Sequence, residues 1–286
     1  MPFPKPNRPI ASQVQWLFGL SDLSHPGFSV RAELETEQDR VAFASRVILE
    51  NIGVAVETPD KSNLDDMLKK FGGKFPTTRE FSAYARSTLL DLSPQDGHDA
   101  VIMAWMEREE ILFRTLERHL IGDRLAKGFH DDVDGFIAFS LSVQNRRKSR
   151  VGYALENHLE ILFAESGIRY SRTAVTERKS KPDFLFPGIE QYRNPQFNPL
   201  YLTMLGVKST CKDRWRQVLS EADRVDRKYL LTLEAAISTN QTDEMQSHQL
   251  QLVLPRSLHP TYTADQQAWL IDVTAFTDLV RRRQTN

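Results

Sequence analysis

Residues 181–188 read KPDFLFPG and residues 201–210 read YLTMLGVKST. The first holds a short strand over Asp183–Phe186, ended by Pro187-Gly188. The second, rich in Leu, Val and Thr, is a strand over 201–210. Pro182-Asp183 therefore opens one strand, and Val207-Lys208 lies on the next. The pairing has a plain chemical use. An aspartate offers a hard oxygen to Mg²⁺, and neighbouring strands bring a lysine ammonium within reach of it. The lysine can hold or help deprotonate an attacking water and offset charge on a phosphate. In the commonest form of this phosphodiester-hydrolysing pattern a second acid stands two residues before the lysine. Here that position is Gly206, so the pattern alone is weak.

Working outward, the spacing predicts a helix over 150–165 closed by Gly167, then a strand over 168–175 ahead of the two just described. A helix over 213–226 follows, with Asp213 as N-cap and Trp215, Val218, Leu219, Ala222 and Val225 on one side. Strands over 229–233 and 249–254 and a helix over 265–283 complete the chain. The order α-β-β-β-α-β-β-α predicts an α/β fold, a mixed central sheet flanked by helices. The first half reads differently. Prolines at 2, 4, 6, 9 and 26 mark an extended arm. Helices are predicted over 35–52, 64–71, from a cap at Thr77 to about Leu90, over 98–125 with a possible break at Gly122, and over 131–145. The change of character divides a helical region, 1–145, from a sheet-bearing core, 146–286. Arg146–Arg150 joins two helices across that boundary without Gly or Pro, which argues against a flexible linker.

Two acids fill the gap left by Gly206. Glu221 lies on the helix after Lys208, beside the apolar stripe, and should lean toward the sheet. Glu156 shares the apolar side of its helix with Gly152, Leu159 and Phe163, where a carboxylate is costly unless compensated. The plainer alternatives are a Glu156 that reaches water and a Glu221 paired in solvent with Arg224 or Lys228. Between Lys208 and Glu221 lie Lys212, Arg214, Arg216 and Gln217, at a strand end running into a helix start. Such a start favours phosphate, and Arg or Lys can read guanine while Gln reads adenine. Trp215 reads as core, Cys211 as a small buried filler, and His158 as a surface or boundary residue without a second His at metal-ligand spacing.

The chain has 37 Lys and Arg against 38 Asp and Glu, a net charge of −1 that hides local runs. Arg146-Arg147-Lys148-Ser149-Arg150 has four cations and no acid and, with Arg147 and Arg150, is expected to meet DNA phosphates. The alternative is a solvated face. A single cysteine excludes an intrachain disulfide and a Cys-rich zinc site. With no apolar run near the ~18–20 residues of a membrane span and no signal core, the expectation is a cytoplasmic protein without membrane contact.

Three longer runs carry a resemblance: NRRKSRVGYALENHLEILF (145–163), TERKSKPDFLFPG (176–188) and LGVKSTCKDRWRQVLSEADRV (205–225). Together they resemble the EcoRII catalytic-domain family of type II restriction endonucleases, in the group that includes the PspGI, SsoII and NgoMIV-like enzymes. The likeness is close over the second half and looser from about residue 35. It implies the PD-(D/E)XK nuclease fold and Mg²⁺-dependent cleavage of both DNA strands at a short, near-palindromic site of CC…GG type, leaving 5′-phosphates. It implies a homodimer on double-stranded DNA, with a cognate DNA methyltransferase as functional partner. By position, Asp183 and Lys208 are catalytic, Glu221 is the displaced acid and Glu156 the assisting acid. Asp183, Glu221 and Glu156 hold the metal, and Lys212, Arg214 and Gln217 fall where the group reads C·G pairs. Members can carry an effector-DNA domain ahead of the catalytic part. With its helical first half, this chain is expected to resemble the stand-alone enzymes. Two other classes compete: a DNA-binding or regulatory protein that kept the fold and lost cutting, and a structure-specific repair nuclease. The full set of acids and the Lys212–Gln217 cluster weigh against them.

Overall fold

The computed structural model describes residues 63–211 and 214–285. The proline-rich arm, the helix expected over 35–52, Lys212 and the cap Asp213 lie outside the described residues.

Among the described residues, four α-helices precede the sheet. α1 (Leu64–Phe71) ends at Gly72, whose φ of 62° is the left-handed turn that glycine takes without strain. α2 (Thr78–Ser87) starts from a capping box in which Thr77 and Glu80 satisfy each other's backbone amides. α3 (His98–Lys127) runs unbroken through Gly122, and α4 (Val133–Glu165) is one continuous helix. The two helices expected over 131–145 and 150–165 are therefore one, and the change of composition at residue 145 falls inside it. The physical reason is that the basic run is not wholly solvated. Arg150 is buried, its guanidinium shared between Glu109 and Glu110 of α3, and Arg147 binds Glu117 at 2.6 Å. Met67, Phe81, Tyr84, Leu112, Phe113 and Leu116 form the core where α1, α2 and α3 meet.

The sheet follows, five strands in the order β1-β2-β3-β4-β5. They are β1 (Ser171–Arg172), β2 (Phe184–Phe186), β3 (Thr203–Lys208), β4 (Lys228–Thr232) and β5 (Leu250–Val253). The first two pairings are antiparallel and the last two parallel, the mixed sheet expected. Phe163 of α4 meets Phe184 and Phe186 edge-on at 5.3 and 5.2 Å, so the C-terminal half of α4 covers one face of the sheet. Short α5 (Ile189–Arg193) links β2 to β3.

Three elements differ from expectation. The helix over 213–226 shrinks to α6 (Trp215–Leu219), and residues 220–227 form a turn. A helix, α7 (Thr239–Ser247), capped by Ser238, stands where none was expected. The closing helix splits into α8 (Ala264–Trp269) and α9 (Val273–Thr285), because Ile271 leaves the helical path to bridge Val253 beside the sheet. Asp99 of α3 then caps the restart, accepting from the amides of Val273 and Thr274 at 2.8 and 3.1 Å. Among the described residues no helix is long and apolar enough to cross a membrane.

Candidate active site

Asp183 immediately precedes β2, and Lys208 ends β3 beside it. The antiparallel register sets Phe184 opposite Leu205, which carries the end of β3 past Asp183. One carboxylate oxygen of Asp183, Oδ2, accepts from the Val207 amide at 2.6 Å and from Lys208 Nζ at 2.9 Å. The carbonyl of Asp183 accepts in turn from the Thr173 amide. The residue is thus fixed through its side chain on one flank and its backbone on the other.

Glu221 is not on a helix. It sits in the turn after α6, next to Ala222, whose φ of 51° is a left-handed conformation that a residue with a Cβ adopts at some cost. The turn is held by cations that the sequence offered as solvent partners of Glu221. Lys228, buried at the start of β4, donates to the carbonyls of Ala222 and Val225 at 3.2 and 2.9 Å. Arg224 donates to the carbonyls of Tyr192, Asn194 and Phe197. Glu221 keeps one buried carboxylate oxygen, Oε2, without a hydrogen-bond partner among the described residues. Burial, and then the negative charge of Asp183, push its pKa up to about 7, against the opposing pull of Lys208 and Lys228.

Glu156 comes from α4, largely buried and 2.9 Å from Arg172 of β1. Burial and Asp183 raise its pKa, and Arg172 and Lys208 oppose the rise. Arg172 also binds Glu160 at 2.7 Å and Asn157 at 2.9 Å, fixing one turn of α4 against the sheet edge. Arg172 was missed from the sequence. Its signal was the pair Glu156 and Glu160, acids one helical turn apart that call for a shared cation. Asp183 and Lys208 are thus in direct contact, and Glu156 and Glu221 each feel the charge of Asp183. Among the described residues no three Asp, Glu, His or Cys side chains converge into a complete metal cage.

Of the expected DNA-contacting residues, Arg214 and Gln217 are exposed at α6. Arg216 is exposed but engaged, paired with Glu244 at 2.7 Å and lying over the Trp215 ring. Trp215 and Cys211 are buried, and burial pushes the Cys211 thiol up to about 12, out of nucleophilic range. Two readings are corrected. Arg150 is not a surface cation for phosphate: it is an interior residue, where Glu109 and Glu110 compensate its charge. His158 is not at a boundary. It is fully buried, with Nε2 2.9 Å from Glu109 and Nδ1 2.9 Å from Arg86, and burial holds its pKa low. Arg147 keeps partial exposure while bound to Glu117.

Residues 113–277, more than half the chain and all four candidate catalytic residues, match the family model described as EcoRII C terminal. The chain belongs to the EcoRII C-terminal family. It is 43% identical over 204 residues to the type II restriction enzyme EcoRII of Escherichia coli, a match that covers 71% of this chain and 50% of that one. It is 28% identical over 109 residues to the type II restriction enzyme SsoII of Shigella sonnei, covering 35% of each. This EcoRII-family chain therefore spans about half the length of the first relative and about a third of the second. Among solved structures it resembles metal-depleted Ecl18kI in complex with uncleaved, modified DNA, with a TM-score of 0.61 over 80% of this chain and 85% of that chain. It also resembles a PspGI–substrate DNA complex, with a TM-score of 0.58 over 73% of this chain and 93% of that chain. Both are 18% identical, and they show a shared restriction-endonuclease fold.

Proposed function

We propose that this chain is a type II restriction endonuclease that cuts both strands of DNA at a short, near-palindromic site of CC…GG type, leaving 5′-phosphate ends. The observation that carries the reading is the Asp183–Lys208 contact at 2.9 Å with the unpartnered, buried oxygen of Glu221 in the same electrostatic neighbourhood. A buried carboxylate oxygen without a donor is expensive, and a divalent cation removes that expense. Asp183 and Glu221, assisted by Glu156, are the residues that would hold Mg²⁺, an ion that needs only one or two carboxylates beside water and phosphate oxygens. When bound, the ion supplies Lewis-acid stabilisation of the phosphate and acidifies a bound water.

The protein's own part is positional. Lys208 stands at the carboxylate of Asp183, where its ammonium can hold an attacking water and offset charge on the phosphorus oxygens. Arg172 fixes Glu156 by an ion pair at 2.9 Å, within the field of Asp183. Arg214, Lys212 and Gln217, just past the catalytic strand, are placed by sequence to read base edges, with Arg216 and Arg147 beside phosphates. Two copies are needed to cut two antiparallel strands symmetrically. The enzyme is then a homodimer acting on duplex DNA in the cytoplasm, where a cognate methyltransferase protects the host's own sites. The test is a Mg²⁺-dependent digest of plasmid DNA followed by sequencing of the cut ends. Discrete fragments with a common end sequence support the reading. No cutting, or cutting of branched substrates alone, overturns it.

A further inference from the structure

β3 and β4 leave the sheet side by side, with Lys208 in register with Thr232. Past Lys208 the chain passes through Ser209, Thr210 and Cys211 outside any helix or strand, and Arg214 stands immediately before α6. A side chain that reads a base edge must be held to within about half an ångström, and a segment of loop does not supply that precision by itself. Past Thr232 comes Glu234, half-buried, and its contacts supply what the loop lacks.

The Glu234 carboxylate accepts from the backbone amide of Cys211. An ionised acceptor on a backbone N–H makes one of the stronger hydrogen bonds available to a protein. The carbonyl of Cys211 accepts in turn from the amide of Arg214 at 2.8 Å. Cys211 is itself buried, so both ends of one anchored residue are bonded, and the second bond sets the direction in which Arg214 leaves the loop. Glu234 is held from behind. Its amide donates to Thr232 Oγ1 at 3.2 Å, and its carbonyl accepts from the hydroxyl of buried Tyr262 at 2.6 Å. Two residues on, Ala236 takes a left-handed φ of 56°, and its amide donates to the hydroxyl of Thr261 at 3.2 Å. A continuous series of contacts thus runs from Thr261 and Tyr262 through Glu234 and Cys211 to Arg214. An acid is repelled by DNA phosphates, so the backbone of a bound duplex is not what Glu234 is for.

We infer that Glu234 is a positioning residue for sequence recognition, acting through the Cys211 amide to hold Arg214 in the geometry that reads a base. This rests on the base-reading role proposed for Arg214 and goes beyond it by naming the side chain that sets its direction. The two can fail separately, because Arg214 and Glu234 are substituted one at a time and together.

The experiment measures binding of the full chain in Ca²⁺ to two duplexes. One carries the site read from the wild type's own cut ends, and the other has a single C·G pair changed. The readout is the ratio of the two affinities, which a general loss of folded protein or of surface charge does not move. Glu234→Ala should lower that ratio by about tenfold. Glu234→Gln loses the same charge but keeps an oxygen for the Cys211 amide, so its ratio should stay within about threefold of wild type. In an Arg214→Ala background, Glu234→Ala should change the ratio by less than about twofold, because the side chain it positions is already gone. Tyr262→Phe removes only the hydroxyl behind Glu234 and should lower the ratio by about threefold. It carries the test if thermal melts show Glu234→Ala unfolded. The inference is overturned if Glu234→Ala, or Tyr262→Phe in its place, keeps the wild-type ratio. It is overturned if Glu234→Gln falls as far as Glu234→Ala, or if the Glu234→Ala and Arg214→Ala effects add, which would make Glu234 a base reader in its own right. An Arg214→Ala ratio equal to wild type instead removes the base-reading role of Arg214, and the inference falls with it.

Discussion

Lys208 Nζ lies 2.9 Å from Asp183 Oδ2, and the amide of Val207, one residue earlier, reaches the same oxygen at 2.6 Å. A single strand end thus supplies both donors to one carboxylate oxygen. Because the amide stays when the lysine is removed, Lys208→Ala should leave Asp183 in place and subtract only the ammonium. Cleavage should fall by about 100-fold or more while specific DNA binding, measured in Ca²⁺, stays near wild type. Asp183→Ala should behave alike. Either variant cutting at near wild-type rate would place the chemistry elsewhere.

Glu221 gives a prediction on stability as well as activity. Its folded-state pKa of about 7 stands above the ordinary 4.5. Between those values the folded, metal-free protein holds a proton that the unfolded chain has released. Stability therefore falls as pH rises through this window and levels off above it. Glu221→Gln removes the charge, so at pH 8 the metal-free variant should be more stable than wild type by about 1–2 kcal/mol, allowing for partial solvent access. The difference should vanish below pH 4.5. The same variant should be nearly inactive. Denaturant melts of both proteins at pH 4, 6 and 8 decide it, and equal stabilities at pH 8 would mean the carboxylate is not strained.

The strand pair that carries Asp183 and Lys208 was legible because it needs only local signals: a Pro-Asp entry, an apolar run and a turn. The seat of Glu221 was not. Apolar spacing over Trp215, Val218, Ala222 and Val225 reads as a helix, and the four residues are indeed buried. The chain reaches that burial through a turn instead, because Arg224 and Lys228 donate to backbone carbonyls from positions that read as solvated charge. The same blindness hid Arg150 and His158. A basic run looks alike whether its partners are water or, as here, glutamates of α3 some forty residues away in sequence. Long-range ion pairs leave no periodicity to read.

Arg150 should then behave as a structural residue. Removing it strands Glu109 and Glu110 inside the protein without their shared cation. Arg150→Ala should destabilise by about 3–5 kcal/mol. The salt dependence of DNA binding by the surviving folded protein should be unchanged. A variant of normal stability with a flatter salt slope would return Arg150 to the DNA-facing surface.

Gly206 occupies the place where the common nuclease pattern has its second acid, and α6 explains why none stands there. A Cβ at Gly206 would lie 2.8 Å from Val218 Cγ2. The space beside β3 is filled by Val218, so an acid must approach from the following turn, as Glu221 does. Gly206→Ala should destabilise by about 1–3 kcal/mol through overpacking. Adding Val218→Ala should recover part of the loss, which a double-mutant cycle by thermal melting measures. Additive effects would show that the two positions do not share this space.

Arg214 is the residue on which specificity should turn. It is exposed immediately before α6, a few residues past the catalytic strand, whereas neighbouring Arg216 is already paired with Glu244. A bidentate arginine–guanine contact discriminates by ~1–3 kcal/mol, and a phosphate contact carries no sequence information. Arg214→Ala should therefore lose most of its preference for the cognate duplex over a single-mismatch duplex. Arg147→Ala should instead weaken binding to both and lower the salt slope by about one. Because Arg147 also binds buried Glu117, its thermal melt must accompany the titration so that lost stability is not read as lost contact. The measurement is binding in Ca²⁺ across a series of salt concentrations, with both duplexes. If Arg214→Ala weakens the two equally, Arg214 grips the backbone and the base-reading surface lies on another element.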